Sequence, residues 1–546
     1  MPSVLGRWRS EITLWLLGIL AYAPGLWWGL PVADRRGRVD VWSPDDIAPL
    51  APLTELYNVV VGAGQDRFLL YPLFHHGLLL LCYAPYLLAL VLTGRLAAPS
   101  PEYPFGLADP VVAFRTLTVI ARCVSVAMAA GIPVIAYRIG LALWDRRTAR
   151  AAFVLALVPY PMWYYSKTAN LDVPVLFWSA AGMLAYVLIV TRGSTVRRFG
   201  WLGAFAALAA ATKDQGAAVF LLLPVVLLPL HVRTWRAGRV SAVGPPAALL
   251  GVGGLVYGVA SGLALDPSRY LAHLAFLASP ERRNRAFQAY VHWYPPTPAG
   301  VLELLLDVGA AIVWFVGPLA VVAAGLAIAW AAVVRHRATL ALTVPAIGHA
   351  VTFLVPIQYF YVRFAMPIMF IVSVLAARGL TLALSRTPSR LGRAALLAVV
   401  LSWPAVLSGD LVVQMLADSR YEAARWLARH AVRTDRVAHC APLGELPHLD
   451  PEIETVRLTS GSAFASVAAL RPELIIVQPD WMSAPEEPHS GSCPTAFYAA
   501  LEDGTLGYRR VASFHTPSLI SRRLLDYPSV NPPVQVFARG DRQDVE

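Results

Sequence analysis

Charged residues are scarce in this 546-residue chain. Only 14% of its residues are Asp, Glu, Lys or Arg, whereas a soluble globular protein carries about 25%. Hydrophobic residues make up 57%, and the mean hydropathy is +0.56. Apolar runs of about 20 residues, the length that spans a bilayer, recur from residue 12 to about residue 416. The composition therefore excludes an ordinary soluble protein and predicts a polytopic membrane protein.

Cysteine is also rare, and the four cysteines have no spacing typical of a metal site. Cys82 and Cys123 lie in apolar stretches, where packing explains them. Cys440 and Cys493 lie in the polar C-terminal part and can form a disulfide if that part is outside the cell. The sequence leaves that pairing open.

Lysine is almost missing. Of the 45 basic residues, 43 are arginine, and the two lysines are Lys167 and Lys213. An ammonium is a compact point charge that a guanidinium does not reproduce. These two positions are therefore candidates for a function, with chance retention as the alternative.

Positive charge is concentrated in short loops between the apolar runs. Arginine-rich short loops stay in the cytoplasm, so the net charge of +11 reflects membrane topology and does not indicate binding to nucleic acid. The loops that we expect in the cytoplasm, together with the N-terminus, are 144–150, 192–198, 231–239, 335–337 and 386–393.

The apolar runs are 12–30, 71–94, 113–141, 149–164, 172–190, 199–212, 216–230, 242–265, 301–334, 338–356, 364–384 and 391–416. If 71–94 crossed the membrane, all five cationic loops would lie outside. We therefore expect 71–94, which prolines and histidines interrupt, to be a juxtamembrane or re-entrant helix in a large outer loop over 31–112. The prediction is an all-α domain over 1–416 in the plasma membrane, with about 11 crossings and a second outer loop over 266–300.

Residues 417–546 are more polar and predict a small extracytoplasmic α/β domain. The segments SRYEAARWLARH and CPTAFYAALEDG are typical of helices, and DRVAHC, ELIIVQ and VQVFARG are typical of strands. Their alternation favours a parallel-type sheet. The sequence of this domain contains no glycine-rich phosphate loop.

Ionisable residues collect on the side that this topology places outside. The stretch VWSPDDIAPL carries Asp45 and Asp46 in the first outer loop, where Ser43 and Pro44 predict the start of a helix. Ionisable groups beside hydrocarbon are costly and tend to mark functional sites. The other ionisable residues on this side are His75, His76, Arg115, Lys167, Asp172, Lys213, Asp214 and Arg363.

Carboxylates and cations at the outer membrane surface suit a lipid-linked phosphosugar. Lysine and arginine side chains bind phosphate, and an ionised aspartate can accept the proton of a hydroxyl group. Structural roles are the alternatives. Lys167 and Arg115 can reach toward lipid headgroups, Asp172 can cap the helix that follows it, and Asp214 can pair with Lys213.

Six motifs occur in an order that resembles glycosyltransferase family 39 of the GT-C superfamily, the group of protein O-mannosyltransferases and the lipid A aminoarabinose transferase. The motifs are WSPDD, YPLFHHGLL, FRTLTVIARCVSVAMAAGIPVIAYRIG, SKTANLDVP, ATKDQG and VRFAMPIMFIVSVLAARGL. The resemblance covers residues 12–384, and the polar tail also suits the bacterial relatives.

This resemblance implies a GT-C fold and an inverting transfer of a sugar from a polyprenyl-phosphate donor on the extracytoplasmic face. The acceptor would be a glycan, a lipid or a protein. Asp45 would be the general base, and Asp46, where the family usually has Glu, would support it. The candidate contacts of the donor phosphate or sugar are Lys213, Arg115, Arg363, Lys167, Asp172 and His75.

The sequence identifies no cofactor with certainty, and a divalent cation stays open. Some relatives carry Glu-Lys or His-Pro before the proline of the juxtamembrane helix, whereas Leu70 and Tyr71 precede Pro72 here. His75 or His76 could take the place of the missing ligand.

Two other functions compete with sugar transfer. A transporter or lipid flippase would be expected to show internal repeats and polar groups near the bilayer midplane, and the sequence shows neither. The second alternative is a membrane anchor for the C-terminal domain, which would not need Asp45.

Overall fold

The structure is a computed structural model that describes residues 4–33, 39–61, 69–100, 102–279, 293–459, 461–479, 493–520 and 530–541. The centre of the predicted second outer loop, residues 280–292, lies outside the described residues. The chain divides into two compact units. Unit 1 comprises Met1–Ala23, Leu50–Tyr83 and Ala121–Ser408, and unit 2 comprises Pro24–Pro49, Ala84–Ile120 and Gly409–Glu546.

Helices make up most of the described chain. The helices of its first half are α1 (Val4–Tyr22), α2 (Ala51–Val61), α3 (Phe74–Leu92), α4 (Pro110–Leu143), α5 (Arg146–Leu157), α6 (Tyr160–Tyr165), α7 (Asp172–Arg192), α8 (Val196–Thr212), α9 (Pro224–Arg236), α10 (Gly244–Ala260) and α11 (Pro267–Ala278). The later helices are α12 (Pro298–Val316), α13 (Pro318–Val333), α14 (Arg337–Ala341), α15 (Val344–His349), α16 (Val355–Ile357), α17 (Met366–Arg386), α18 (Arg390–Leu416), α19 (Ser419–His430), α20 (Ala463–Leu470) and α21 (Thr495–Glu502).

Several of these helical segments are long and apolar enough to cross a membrane. Among the described residues there are seven, namely Phe74–Leu92, Pro110–Leu143, Asp172–Arg192, Pro298–Val316, Arg337–Ile357, Val362–Arg386 and Arg390–His430. Shorter apolar helices cover Ser10–Tyr22, Gly244–Ala260 and Pro318–Val333. A mostly helical, multi-pass membrane protein is therefore confirmed, and the number of eleven crossings stays a prediction.

Proline and glycine residues interrupt two of the long predicted apolar runs, each of which forms two helices. The run 149–164 is interrupted because α5 ends at Leu157 and Pro159 precedes α6. The run 301–334 is interrupted between α12 and α13 at Gly317, which has a φ of 102° that favours glycine. Pro318 follows, and a proline disfavours helical backbone at the residue before it.

The helix that we predicted to start at Ser43 is absent from this position. Residues 44–46 form a turn instead, in which the N–H of Asp46 donates to the carbonyl of Ser43 at 3.2 Å. The physical reason is Pro49, which disfavours helical backbone at Ala48. The helix begins only at Ala51, with a proline in its first turn.

The predicted cytoplasmic loops 144–150 and 335–337 lie together in unit 1. The indole Nε1 of Trp144 donates to the hydroxyl of Thr339 at 3.0 Å. Arg378 lies 3.8 Å from the carboxylate of Asp145 and 4.2 Å above the ring of Trp330. These contacts bring the end of α4, the end of α13 and α17 to the same place.

Unit 2 contains a five-stranded mixed sheet. Its strands are β3 (Arg436–His439), β4 (Glu454–Arg457), β5 (Leu474–Val477), β6 (Tyr508–Phe514) and β7 (Val534–Arg539), after a two-stranded ribbon of β1 (Val32–Ala33) and β2 (Val39–Asp40). The order is β4-β3-β5-β7-β6. β3 is parallel to β4 and β5, as predicted, but β7 is antiparallel to both its neighbours. The expectation of a parallel-type sheet is thus wrong for β7 and β6. Antiparallel strands can be joined by a short connection without a helix, so the alternation of helices and strands did not fix their direction.

Helices cover both faces of this sheet, since successive strand residues point to opposite sides. On one face Ile476 and Val536 pack with Leu427 of α19, and on the other face Ile475 and Phe537 pack against α20 and α21. Cys440 and Cys493 form a disulfide on the second face. The pairing that the sequence left open is therefore present.

Candidate functional site

A buried ion pair brings together two of the predicted site residues in unit 1. The ammonium of Lys213 lies 2.7 Å from Oδ1 of Asp172, and the side-chain amide of Gln215 donates to the same oxygen at 3.5 Å. Asp172 is 6% exposed at its side chain and Lys213 is 13% exposed. The carboxylate and the ammonium thus compensate each other in a place where either charge alone would be costly.

The hairpin SKTANLD directs the Asp172 carboxylate away from its own backbone. Oδ1 of Asn170 accepts the N–H groups of Asp172 at 2.7 Å and of Val173 at 3.4 Å, so Asn170 satisfies the first donors of α7. The alternative that Asp172 caps this helix is therefore wrong. Its carboxylate is directed to Lys213 instead.

The Thr-Lys turn holds Lys213 at the end of α8. Lys213 has extended backbone there, and a 3-10 turn over Asp214–Val219 follows it. In this turn Gly216 donates its N–H to the carbonyl of Lys213 at 2.8 Å. A Cβ at Gly216 would lie 2.6 Å from the backbone of Ala209, so the close approach requires glycine.

Arg363 brings a second cation to the Asp172 carboxylate. It lies in the short 3-10 turn Val362–Ala365 before α17, with its Nε 3.9 Å from Oδ2 of Asp172. Its guanidinium donates to the hydroxyl of Tyr165 at 3.4 Å and lies 4.3 Å above the ring of Tyr361. The carbonyl of Phe364 accepts a hydrogen bond from His349 at 2.8 Å, which fixes this turn.

The three charges define what we call the cation cluster: Asp172, Lys213 and Arg363. Two cations share one carboxylate, so these three side chains carry a surplus positive charge. The side chain of Arg363 is 20% exposed and that of Lys213 is 13% exposed. Such a set can bind an anion by charge-assisted hydrogen bonds.

Lys167, the other lysine, is not part of the ion pair between Lys213 and Asp172. It is fully buried, donates to the carbonyl of Trp163 at 2.7 Å and lies 5.0 Å above the ring of the same residue. It does not reach toward lipid headgroups, so that alternative is wrong for Lys167. Burial lowers the pKa of its ammonium from 10.5 to about 7.

The predicted acidic pair lies in unit 2. Asp45 and Asp46 are both partly buried, in the turn that begins at Ser43. Arg115, on α4, belongs to the same unit and donates from Nε to the carbonyl of Pro31 at 3.0 Å. The predicted site residues are thus distributed over the two units, with these three on unit 2 and the others on unit 1.

His75 is fully buried in the first turn of α3, and neither of its ring nitrogens has a hydrogen-bond partner in the described part of the chain. A divalent cation was left open at this position. Among the described residues, however, no three His, Cys, Asp or Glu side chains come together as metal ligands. In that part of the chain, His75 therefore does not belong to a set of three such side chains.

Sequence reasoning missed a second polar group in unit 1. The segment 267–278 of the predicted outer loop is the helix α11, and its His273 is fully buried. Nε2 of His273 lies 3.2 Å from both carboxylate oxygens of Asp214, and its Nδ1 lies 2.6 Å from the carbonyl of Leu69. Both ring nitrogens of His273 thus lie within hydrogen-bond distance of an acceptor oxygen.

Asp214 therefore pairs with His273, and the alternative that it pairs with Lys213 is wrong. Arg269, four residues before His273, donates to the carboxylate of Glu55 at 2.6 Å. A spacing of four places both side chains on one face of a helix. That spacing is the signal in the sequence that residues 267–278 form a helix that packs against the rest of unit 1.

The comparisons with known proteins agree with the motifs. Residues 75–239 match the family model described as dolichyl-phosphate-mannose-protein mannosyltransferase. This segment is less than a third of the chain, and it contains Asp172 and Lys213 but neither Asp45 nor Arg363. Over this segment the resemblance to the protein O-mannosyltransferase group is confirmed, and the match indicates a glycosyltransferase. No curated protein sequence matches the chain.

The chain is also similar, at low sequence identity, to several solved structures, including the following three. ArnT from Cupriavidus metallidurans bound to undecaprenyl phosphate is 13% identical, with 98% of each chain covered and a TM-score of 0.46. Oligosaccharyltransferase AglB from Archaeoglobus fulgidus, in complex with an inhibitory peptide and a dolichol-phosphate, is 11% identical over 85% of this chain and 69% of its own, with a TM-score of 0.43. Arabinofuranosyltransferase AftD from Mycobacteria is 16% identical over 98% of this chain and 40% of its own, with a TM-score of 0.41. All three TM-scores are below 0.5, so these likenesses carry no conclusion about function.

The lowered pKa of Lys167 predicts a pH dependence of stability. The folded protein binds this proton only below about pH 7, whereas the unfolded chain binds it up to its usual pKa of 10.5. Stability should therefore rise with pH above about 7. Lys167→Met removes this contribution, so we expect a smaller rise of Tm between pH 7 and pH 9 in the variant than in the wild type. Equal slopes in thermal unfolding of the two proteins would contradict the burial of a titrating ammonium.

Proposed function

We propose that the chain is an inverting glycosyltransferase that moves a sugar from a polyprenyl-phosphate donor to an acceptor hydroxyl on the extracytoplasmic face of the plasma membrane. The observation that carries the proposal is the cation cluster, which combines surplus positive charge with partial exposure. The name of the matching family supports the donor class, because dolichyl phosphate is a polyprenyl-type lipid phosphate.

In this proposal Lys213 and Arg363 bind the donor phosphate. The phosphate gains negative charge as the bond between it and the sugar breaks, so cations at this place stabilise the transition state more than the bound donor. Asp172 positions both cations and limits their surplus charge. Lys167 supports the hairpin that carries Asp172, since its hydrogen bond is to the carbonyl of Trp163.

Asp45 is the proposed general base. It removes the proton of the acceptor hydroxyl while the oxygen attacks C1 of the sugar, and the bond between C1 and the phosphate oxygen breaks. The electron pair of that bond leaves with the lipid phosphate, so no general acid is needed. Attack from the face opposite the phosphate inverts the configuration at C1. Asp46 orients the acceptor or the base, and Arg115 and His75 stay candidates for contacts with the donor.

The proposed topology keeps about 11 crossings, a cytoplasmic N-terminus and the domain limits 1–416 and 417–546. In this topology α12 and α13 together make one bent crossing, with the bend at Gly317. The contacts of Trp330 and Thr339 with the region around Asp145 support this arrangement, because they join two loops that we assign to the cytoplasm. The disulfide of unit 2 supports an extracytoplasmic C-terminal part, since disulfides are rare in the cytoplasm.

Asp45→Asn tests the proposed reaction. The variant keeps the shape of the side chain but is a very weak base, so we expect transfer from a polyprenyl-phosphate sugar to fall at least about 100-fold, the usual scale of general-base catalysis. The measurement is product formation by the purified protein in lipid vesicles. Asp109→Asn is the matched control, because Asp109 is exposed and caps α4 with an oxygen that asparagine retains. Transfer by Asp45→Asn at the rate of this control would contradict the base assignment.

Cysteine labelling tests the topology. In a background with Cys82→Ser and Cys123→Ser, we expect Arg95→Cys to react with a membrane-impermeant maleimide in intact cells. Arg146→Cys should react only after permeabilisation, because the two exposed positions lie on opposite sides of the proposed membrane. Labelling of both from outside would contradict the juxtamembrane assignment of 71–94.

A further inference from the structure

The indole of Trp42 is buried inside unit 2, only 2% exposed. Its Nε1 donates to the carbonyl of Leu446 at 2.9 Å, and its backbone N–H donates to the carbonyl of Gly29 at 3.2 Å. Trp42 thus connects an early segment of the chain to a much later one. Neither the resemblance nor the proposed reaction gives it a role.

Side chains of the C-terminal segment surround this indole. The guanidinium carbon of Arg420 lies 4.0 Å from the centre of the Trp42 ring, a cation–π contact between two buried side chains. The rings of His448 and Tyr421 have their centres 4.7 and 4.8 Å from that of Trp42, and Trp28 lies at 6.3 Å. These neighbours fix both the position and the tilt of the indole.

Arg420 is itself held by a buried carboxylate. Its Nε and Nη2 donate to the two oxygens of Asp418 at 2.9 and 2.8 Å. Asp418 also accepts from the indole of Trp28 at 2.9 Å and from the backbone N–H of Asn531 at 2.7 Å. Asp418 and Arg420 are both almost fully buried. The guanidinium therefore has a fixed orientation, since a bidentate pair leaves it little freedom to rotate.

His448 adds no second cation to this group at neutral pH. Its pKa is lowered to about 4 by burial and by the positive charges of Arg115 and Arg420, while the carboxylate of Asp418 acts in the opposite direction. The neutral ring can therefore stack on Trp42 without repelling Arg420.

The acidic pair follows Trp42 directly. Ser43 is the next residue, and the turn closes with the hydrogen bond from Asp46 to Ser43 at 3.2 Å. No more than about 10 Å of chain separates the Cα atoms of Trp42 and Asp45, and Pro44 fixes one of the intervening dihedral angles. No helix starts in this stretch. The turn that carries the acidic pair therefore follows directly on the buried side chain of Trp42.

We infer that Trp42 is a positioning residue for the acidic pair and that the Arg420–Asp418 pair of the C-terminal segment holds it in place. The inference rests on the proposed function, because it takes Asp45 to be the base. It gives the C-terminal segment a part in the reaction, through the geometry of a turn that lies hundreds of residues earlier in the chain.

Kinetics of Trp42→Leu test this inference in the full-length protein in lipid vesicles. We expect kcat to fall roughly 10- to 100-fold, the scale of a misplaced catalytic group, while the KM for the polyprenyl-phosphate donor changes little. Trp42→Phe keeps an aromatic ring under Arg420 and should recover most of kcat. The matched control is Trp426→Leu, the same substitution in the same unit, at a side chain that packs against the core of the sheet. Equal losses of kcat in Trp42→Leu and Trp426→Leu would overturn the inference.

A labelling experiment gives a readout that does not depend on catalysis. In the background without Cys82 and Cys123, Asp45→Cys is allowed to react with a water-soluble maleimide. We expect the reaction to be several-fold faster when Trp42→Leu is added and unchanged when Trp426→Leu is added. Unchanged rates with Trp42→Leu would overturn the inference and leave the proposed function as it stands. Faster labelling together with an unchanged kcat in Trp42→Leu would show that Asp45 is not the base. The inference would then be overturned because the proposed function on which it rests has failed.

Discussion

The ion pair between Asp172 and Lys213 is the interaction on which the candidate site depends. A charge that is nearly buried beside apolar helices is costly without a partner of opposite sign, and the ammonium of Lys213 has such a partner at 2.7 Å. This requirement fixes the start of α7 against the end of α8. Arg363 can then approach the other carboxylate oxygen at 3.9 Å without a second buried acid. The result is a shared carboxylate and a surplus of positive charge.

The backbone beside Asp172 and the backbone beside Lys213 both support this ion pair. Asn170 takes over the capping of α7, which leaves the Asp172 side chain for the ion pair. Gly216 lets the turn after Lys213 pass close to Ala209. These features are structural, yet together they produce a group of charges that suits a phosphate. Sugar transfer from a lipid phosphate is proposed because the surplus positive charge of the cation cluster suits the phosphate of such a donor.

Much of the cation cluster could be predicted from the sequence, because the topology that we predict from the cationic loops places Asp172, Lys213 and Arg363 on one side of the membrane. Lys167 was predicted with them, but the carbonyl and ring of Trp163 hold it in place, and no pattern in the sequence reports such a local partner. The helix start at Ser43 failed because Pro49 outweighs a good capping residue. The contact of Trp42 with Arg420 could not be predicted, since it joins residues far apart in the chain.

The most direct test of the account is the affinity of the purified protein for polyprenyl phosphate, measured without an acceptor for the wild type, Lys213→Gln and Lys213→Arg. A charge-assisted hydrogen bond to phosphate is worth about 1.5–3 kcal/mol, so we predict that Lys213→Gln weakens binding about 10- to 100-fold. Lys213→Arg should weaken it less, and binding of the uncharged polyprenol should be the same in all three proteins. Equal affinity of the wild type and Lys213→Gln for polyprenyl phosphate would contradict the claim that the cation cluster is the phosphate site.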